Sequence, residues 1–268
     1  MLLASGFNGC GNETARAPNP TAYDWPDTFA YRMRYVARAE RDTEALARHE
    51  VSAELTWSVR SDGAYLVRND SLRSAGTWRD APPYAGPLWP RDTEPYLVQI
   101  SRWGEFLSIE RDCDPAVPAC REAALLTLAK ELRHVVPLLP VWWPPRGFAW
   151  EDTVAFGDFP RPRGVRGVVR TVYRSARDTV VKGAACWIVT WHSEWPAVDR
   201  FVAGRPLDES GTVFVDKKLL IPAYAEWRGT YAPPLELGAR GATRIEARGS
   251  AVLAGSVFDS LRVAEESK

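Results

Sequence analysis

Apolar and polar residues alternate with a period of two over much of the chain. Residues 29–37 and 51–59 show this pattern most clearly, with Trp57 among the apolar positions of the second segment. Because successive side chains of a strand point to opposite faces, both segments predict strands with one buried face. Similar patterns predict strands at residues 64–68, 96–101, 105–110, 165–173, 184–195, 212–215, 219–227, 243–253 and 256–263.

One segment has helical rather than strand periodicity. Residues 120–136 place Leu128, Leu132 and other apolar side chains at intervals of three and four, with charged residues mostly between them. This spacing predicts an amphipathic helix, which Pro137 would end. The pattern as a whole therefore predicts a mainly β protein, with one principal α-helix packed on a curved antiparallel sheet that is half-barrel or sandwich-like.

The order of these segments predicts one large domain. A first meander spans residues 27–111, the helix spans 120–136, and a second meander spans 150–263. Residues 1–26 form a signal remnant and tether, the β-rich domain covers 27–263, and 264–268 form a polar tail.

The N-terminus and the cysteines predict an extracytoplasmic protein. Gly9-Cys10, after a short apolar stretch and before a polar tether, resembles the end of a bacterial lipoprotein signal, which implies lipidation of Cys10. An incidental cysteine in a terminal segment is the alternative. Cys113 and Cys120 bracket six residues with two prolines, a spacing that favours a disulfide in an oxidising compartment. Cys186 lies in an apolar strand, which favours a buried free thiol.

Charge and residue counts exclude several functions. The 268 residues include 34 basic and 34 acidic side chains, and a formal net charge of zero argues against nucleic-acid binding. His49, His134 and His192 are the only histidines, and none has metal-ligand spacing. His134, near the end of the predicted helix, is explained by the helix dipole. No catalytic residue, metal site or cofactor is predicted, so the chain is not expected to be an enzyme.

Two loops rich in proline and aromatic residues stand out as candidate docking surfaces. Tryptophan concentrates at membrane interfaces, and tryptophan and arginine are frequent hot spots of protein interfaces. Packing of these side chains on the domain's own core is the alternative. The residues predicted to dock on a partner or a membrane are Trp89, Trp142, Trp143, Arg146 and Phe148.

The arrangement resembles the LolA/LppX-type half-barrel of envelope lipoproteins. Gly9-Cys10, the hairpin at 96–110, the passage 150–153 and the strand–turn–strand at 212–224 carry this resemblance. It implies a curved sheet whose concavity holds lipid or another apolar ligand. The residues that would line it are Trp57, Trp187, Trp191, Leu128 and Leu132. Ordinary packing in the core of the sheet is the alternative for Trp187 and Trp191.

Three functions follow from these observations. The first is a non-catalytic, lipid-anchored protein on the periplasmic side of a bacterial membrane. It would dock as an accessory subunit on a membrane complex of respiratory or photosynthetic type, or on the membrane surface. The alternative is a carrier with a lipid ligand in the sheet's concavity. An envelope hydrolase is the third, although no nucleophile–base pair nominates it.

Overall fold

The computed structural model describes residues 22–41, 44–76, 95–111, 132–156, 167–194, 206–233 and 241–259, and within them the chain is mainly β. Twelve strands are present. They are β1 (Thr28–Arg41), β2 (Glu44–Val59), β3 (Tyr65–Gly76), β4 (Tyr96–Ile100), β5 (Phe106–Arg111), β6 (Ala149–Phe156), β7 (Gly167–Ser175), β8 (Thr179–Val181), β9 (Ala184–Glu194), β10 (Pro206–Asp216), β11 (Ile221–Tyr231) and β12 (Arg244–Leu253).

All the described strands belong to a single antiparallel sheet. Its order is β5-β4-β3-β2-β1-β12-β11-β10-β9-β7-β6, and β8 pairs with β9 beside the end of β7. Each meander therefore keeps its strands in chain order, and the first and last strands join the two meanders. The predicted single antiparallel sheet is confirmed; because there is one sheet rather than two packed together, the sandwich-like alternative is wrong for these strands.

The sheet has a buried face, called here the inner face, and an opposite outer face. Along β1 the buried positions alternate, with Tyr31, Met33 and Tyr35 inside and Arg32 and Arg34 outside. The same alternation continues through β2, where Leu55 and Trp57 are inside. Burial of these apolar side chains removes their surface from water, at about 25 cal/mol per Å², and is the main stabilising contribution to the fold.

A segment that includes Leu132–Trp143 lies over the inner face and ties together the two edges of the sheet. The guanidinium of Arg133 donates to the carbonyl oxygen of Gly104 in the β4–β5 turn at 3.0 Å. It also pairs with the Asp152 carboxylate on β6 at 3.0 Å and lies 5.1 Å from the ring centre of Phe106 on β5. Because β5 and β6 are the two edge strands, one side chain spans the gap between them, and the open sheet must curl.

Two predictions about the chain's local structure need correction. A strand was expected at 256–263, but Val257–Asp259 form a helical turn whose Phe258 packs on the outer face with Cys186 and Val252. The N–H group of Asp259 donates to the carbonyl oxygen of Ser256 at 3.1 Å, and this hydrogen bond closes the turn. The sequence pattern predicts no strand at Trp150-Glu151-Asp152, whereas this segment lies in β6 and pairs with β7.

Several predictions fall outside the described residues. Only the last five residues of the predicted helix are described, and of these Leu132 and Arg133 are helical. The other residues of that helix, with the tether and the C-terminal tail, are not part of the described structure. None of the helical turns in the described ranges has the length or apolar character that a bilayer-spanning helix requires.

Candidate functional site

A row of aromatic residues and glycines crosses the inner face. The pairing of strands aligns Tyr35, Gly249, Trp227, Gly211 and Trp191 on β1, β12, β11, β10 and β9, so that aromatic and glycine positions alternate. Tyr173 on β7 and Trp150 on β6 extend the row, with their rings stacked at 5.7 Å.

The two glycines of this row allow the indoles to lie against the neighbouring strands. A Cβ atom on Gly249 would lie 2.2 Å from Cε2 of Trp227, and one on Gly211 would lie 2.6 Å from Cε2 of Trp191. No real side chain tolerates such contacts, so any other residue at these positions would push the indole away from the sheet. The result is a low aromatic floor, defined by Trp191, Trp227 and Tyr35.

His134 lies directly on this floor. Its ring stacks on Trp191 with the centres 4.9 Å apart and the planes 5° from parallel, and it lies 5.1 Å from the ring of Trp227. Its Nε2 is 3.8 Å from Oε1 of Glu209. The helix dipole was the predicted explanation of His134, but stacking and a carboxyl neighbour account for its burial.

Polar side chains occupy the next row of the inner face. Asp152, Thr171, Ser193 and Glu209 are aligned across β6, β7, β9 and β10, and are called here the polar row. The Oγ atoms of Thr171 and Ser193 are 3.0 Å apart, and the Tyr231 hydroxyl donates to Oε1 of Glu209 at 2.6 Å. Glu209 is only 1% exposed, although a carboxyl group is costly to bury.

Three indole N–H groups on the inner face have no hydrogen-bond acceptor in the described part of the chain. They belong to Trp57, Trp191 and Trp227, whose Nε1 atoms are inaccessible to water. A buried tryptophan N–H normally has a partner, and each one without costs about 1–3 kcal/mol. Three such donors on one face are an energetic cost that hydrogen bonding within the described residues does not offset.

Burial also governs titration at this face. It raises the pKa of Tyr173 to about 12 and raises the pKa values of Tyr23 and Tyr31 well above the usual range. Cys186, buried and unpaired on the outer face, likewise has its thiol pKa raised by burial to about 11. These groups are held neutral at physiological pH.

The four described residues that were predicted to line a ligand site belong to, or pack against, one hydrophobic core. Trp57 and Trp191 lie on the inner face, and Leu132 is buried in the same core. Trp187 is half-buried and stacks on Trp143 with the ring centres 4.5 Å apart. Leu128 lies outside the described residues, so its place in the site stays a prediction.

The predicted docking residues divide into exposed residues and one that packs on the sheet. Trp142 and Phe148 are each 49% exposed and Arg146 is exposed, whereas Trp143 packs against its own sheet. Trp89 lies outside the described residues. So do Cys10, Cys113 and Cys120, and neither the lipidation nor the disulfide is tested.

Sequence reasoning missed the polar row and the floor. Glu209 has a signal, because Glu209, Gly211 and Val213 continue the alternation that places Val215 inside. The pairing of Gly249 with Trp227 has none, since it depends on strand register.

The remaining histidines add no chemistry to the site. His192 is exposed on β9 with Nδ1 3.3 Å from the Asp208 carboxylate, and His49 is buried on β2. Across the seven described ranges, no group of three or more His, Cys, Asp or Glu side chains is arranged to hold a metal ion. What the arrangement offers is an aromatic surface beside hydrogen-bonding groups.

Comparisons with known proteins give only distant structural similarities. No family model matches it, and no curated protein does. It is similar to lipovitellin, in a structure concerned with lipid–protein interactions, at 12% identity and a TM-score of 0.48 over 86% of this chain; it spans 25% of that chain's length. A DUF1329 family protein from Desulfovibrio piger is similar at 11% identity and a TM-score of 0.23, over 87% of this chain and 85% of the other. At these values neither neighbour defines a family for the chain.

Proposed function

We propose that the protein is a non-catalytic carrier that holds an acyl-chain amphiphile against the inner face of its curled sheet. The observation that carries this proposal is the aromatic floor, in which Trp191 and Trp227 lie against Gly211 and Gly249. A core built only for stability favours Leu, Ile, Val, Phe and Ala, and uses tryptophan where its N–H group has a partner. Glycines at the centre of a wide sheet weaken it. Here they are used because they allow the indoles of Trp191 and Trp227 to lie close to the neighbouring strands.

The apolar part of the ligand would lie along the central strands. Several of their inner positions are small: Ala37 on β1, Ala225 on β11, and Ala247 and Ala251 on β12 are all buried. Small side chains beside aromatic rings suit a long, thin hydrocarbon. Each CH₂ group that leaves water contributes about 0.8 kcal/mol, so a long acyl chain would bind even without polar contacts.

The polar part of the ligand would lie near the indole N–H groups and the polar row. Trp191 and Trp227 supply donors that have no acceptor in the described structure, and an ester or carboxyl oxygen is an acceptor of the right kind. Ser193 and Thr171 lie one row away with hydroxyl groups. This combination favours an amphiphile, such as an acyl ester, over a pure hydrocarbon.

Fluorescence quenching by 9,10-dibromostearic acid tests the proposal, because bromine quenches tryptophan only at short range. The parent protein is expected to show saturable quenching. Trp191→Phe with Trp227→Phe should remove most of its amplitude and weaken binding about tenfold, through loss of the two N–H donors. Trp142→Phe, an exposed tryptophan outside the inner face, is the matched control and should leave the amplitude unchanged.

Two results contradict a carrier. One is the absence of saturable quenching in protein from which bound lipid has been removed on a hydrophobic resin. That protein must retain its thermal unfolding midpoint. The other is quenching that disappears in Trp142→Phe and persists in the inner-face variant, which would place the fatty acid on the surface.

The proposed cellular setting is the periplasmic side of a bacterial membrane, with Cys10 as the lipid anchor. The sequence pattern around Gly9-Cys10 supports it. Cys10→Ser should move the protein from the membrane fraction to the soluble fraction. Retention of Cys10→Ser in the membrane after a high-salt wash would contradict a lipid anchor as the main attachment.

The accessory-subunit role is a second candidate, and one observation favours it. Trp142 and Phe148 expose about half of their surface, which ligand binding on the inner face does not explain. A docking subunit should leave solubilised membranes inside a larger particle. If affinity purification from mild detergent yields only the monomeric chain, this role is contradicted.

A further inference from the structure

We infer that one end of the sheet is a docking surface for an anionic lipid bilayer. Three loops form this surface: residues 141–148, which lead into β6, the turn at 176–183, which contains β8, and the turn at 217–220 between β10 and β11. This inference does not depend on a ligand in the inner face. The loops, called here the docking end, are defined by Val141, Trp142, Arg146, Phe148, Arg177, Val180, Lys182, Lys218 and Leu219.

The three loops are held together as one surface. The N–H group of Gly147 donates to the carbonyl oxygen of Ser175 at 2.8 Å, and the N–H group of Ser175 donates to the carbonyl oxygen of Phe148 at 3.0 Å. Lys217 N–H donates to the Ala185 carbonyl oxygen at 2.9 Å, and its ammonium pairs with Asp178. The first loop is therefore fixed to the end of β7. The third loop is fixed to the start of β9 and to Asp178 of the second loop.

Aromatic stacking anchors the first loop from below. Trp143 stacks on Trp187, and the Lys217 ammonium lies 5.7 Å from the ring centre of Trp187. With Trp143 turned towards the sheet, its neighbour Trp142 is presented outwards. The Asp216 carboxylate accepts from the N–H groups of Lys218 and Leu219 at 2.7 and 3.0 Å, which fixes the third loop.

Large apolar side chains are exposed on all three loops. Val141, Trp142 and Phe148 on the first loop, Val180 on the second and Leu219 on the third are each 46–68% exposed. Exposed apolar residues that are scattered singly need no explanation, but a group on adjacent fixed loops marks an interaction surface. Tryptophan and phenylalanine suit the interfacial layer of a membrane.

The charge of the docking end selects the partner. Arg146, Arg177, Lys182 and Lys218 are exposed there. The acidic residues of the three loops are Asp178, which pairs with Lys217, and Asp216, which is buried. Asp24, beside Leu220, is also exposed at this end, so the four exposed cations outnumber by three the exposed carboxylates that have no cation partner in the described ranges. Exposed cations around an apolar centre complement anionic phospholipid headgroups, and each such cation favours the membrane surface.

The path of the chain agrees with this orientation. The described structure begins at Ala22, and the next residues lie at the docking end, where Asp24 N–H donates to the Leu220 carbonyl oxygen at 2.9 Å. Cys10 lies twelve positions earlier in the sequence. Twelve residues of extended chain span up to about 40 Å, so a lipid at Cys10 could reach a membrane that the docking end faces.

Vesicle flotation of the full chain carrying Cys10→Ser tests the inference without any covalent lipid. Vesicles of phosphatidylcholine with about 30% phosphatidylglycerol should carry the protein to the top of the gradient at low salt. Trp142→Ala with Phe148→Ala should lower the partition coefficient at least about tenfold. Lys182→Ala with Lys218→Ala should lower it about tenfold on these vesicles and not on phosphatidylcholine alone.

Leu72→Ala with Arg73→Ala is the matched control, since both residues are exposed on β3 away from these loops. It should float like the parent, and all variants should keep the parent's thermal midpoint. Failure of the parent to float contradicts the inference, as does equal flotation of parent and Trp142→Ala/Phe148→Ala. If the parent does not float but a membrane protein co-purifies with it and is lost in that variant, the surface binds protein and the bilayer assignment is wrong.

Discussion

The two faces of the sheet carry two kinds of polar side chain. On the outer face Arg32 pairs with Glu54 at 3.2 Å and with Asp259 at 2.7 Å, and these groups are partly exposed to water. On the inner face the Arg133–Asp152 pair is 13% and 15% exposed, and Glu209 is buried completely. Polar chemistry on the outer face follows from solvent exposure, whereas on the inner face it has to be maintained against the cost of desolvation.

The comparison teaches where to look for function. An exposed ion pair contributes about 0–1 kcal/mol, and many such pairs follow simply from alternation in strands with one wet face. A buried pair costs several kcal/mol in lost hydration for each ion, and apolar residues of the same volume would often be at least as stable. We therefore relate the polar row and Arg133 to the curled shape of the sheet rather than to stability.

Loss of Arg133 should have the largest effect. Arg133→Ala leaves the Asp152 carboxylate without its cation and removes the link between β5 and β6, so the free energy of unfolding should fall by about 3–5 kcal/mol. Urea denaturation measures this. Arg133→Met with Asp152→Leu should recover much of the loss; a double variant as unstable as Arg133→Ala would show that the charge imbalance is not the cause.

High pH should destabilise the inner face next. Tyr173 has a pKa raised to about 12, so its neutral form stabilises the fold fully below pH 10. Above pH 10 the unfolded chain ionises first, and stability falls until the pH reaches about 12. Each such tyrosine should contribute a slope of about 1.4 kcal/mol per pH unit. Urea denaturation between pH 9 and 11 should show a shallower slope for Tyr173→Phe; an unchanged slope would mean that this hydroxyl is not buried in solution.

Removal of the Glu209 carboxyl group should have an intermediate effect. Glu209→Ala removes the acceptor of the Tyr231 hydroxyl in a buried hydrogen bond, and this loss should cost about 1–3 kcal/mol. Thermal or urea unfolding measures the loss. The double variant with Tyr231→Phe should be less destabilised than the two single losses added together, and simple additivity would show that the two groups do not interact.

An outer-face pair should have the smallest effect. Arg32→Ala removes contacts to Glu54 and Asp259, yet these partners remain hydrated and the loss should stay below about 1 kcal/mol. The same urea titration measures it, at low and high salt. A loss as large as that of Arg133→Ala would remove the distinction between the two faces.

The sheet itself was largely predictable from sequence. Period-two alternation identifies strands wherever one face is wet and the other dry, as in β1, β2 and β9. It failed at β6, where Glu151 and Asp152 interrupt the apolar positions, and at the start of β10, where Asp208 and Glu209 have low strand propensity. Tertiary pairing overrides these local preferences, because a strand gains its hydrogen bonds from its neighbours.

The site was less predictable, for a different physical reason. Alternation places Trp57 and Trp191 on the inner face, and the resemblance to the half-barrel family implied that they line a ligand site. The floor arises from the register of β9 to β12, which sets Gly211 beside Trp191 and Gly249 beside Trp227. Register depends on contacts between residues far apart in the chain, and a local pattern does not contain it.

The carrier proposal is tested most directly by mass spectrometry of the full chain purified from its host membrane in mild detergent. Under native conditions the spectrum should show a non-covalent mass matching an acyl-chain lipid. That mass should disappear under denaturing conditions, while any covalent lipid on Cys10 remains. It should also be reduced in Trp191→Phe with Trp227→Phe and retained in Trp142→Phe. A native spectrum with no such adduct, from protein that binds no added dibromostearic acid, would contradict the account.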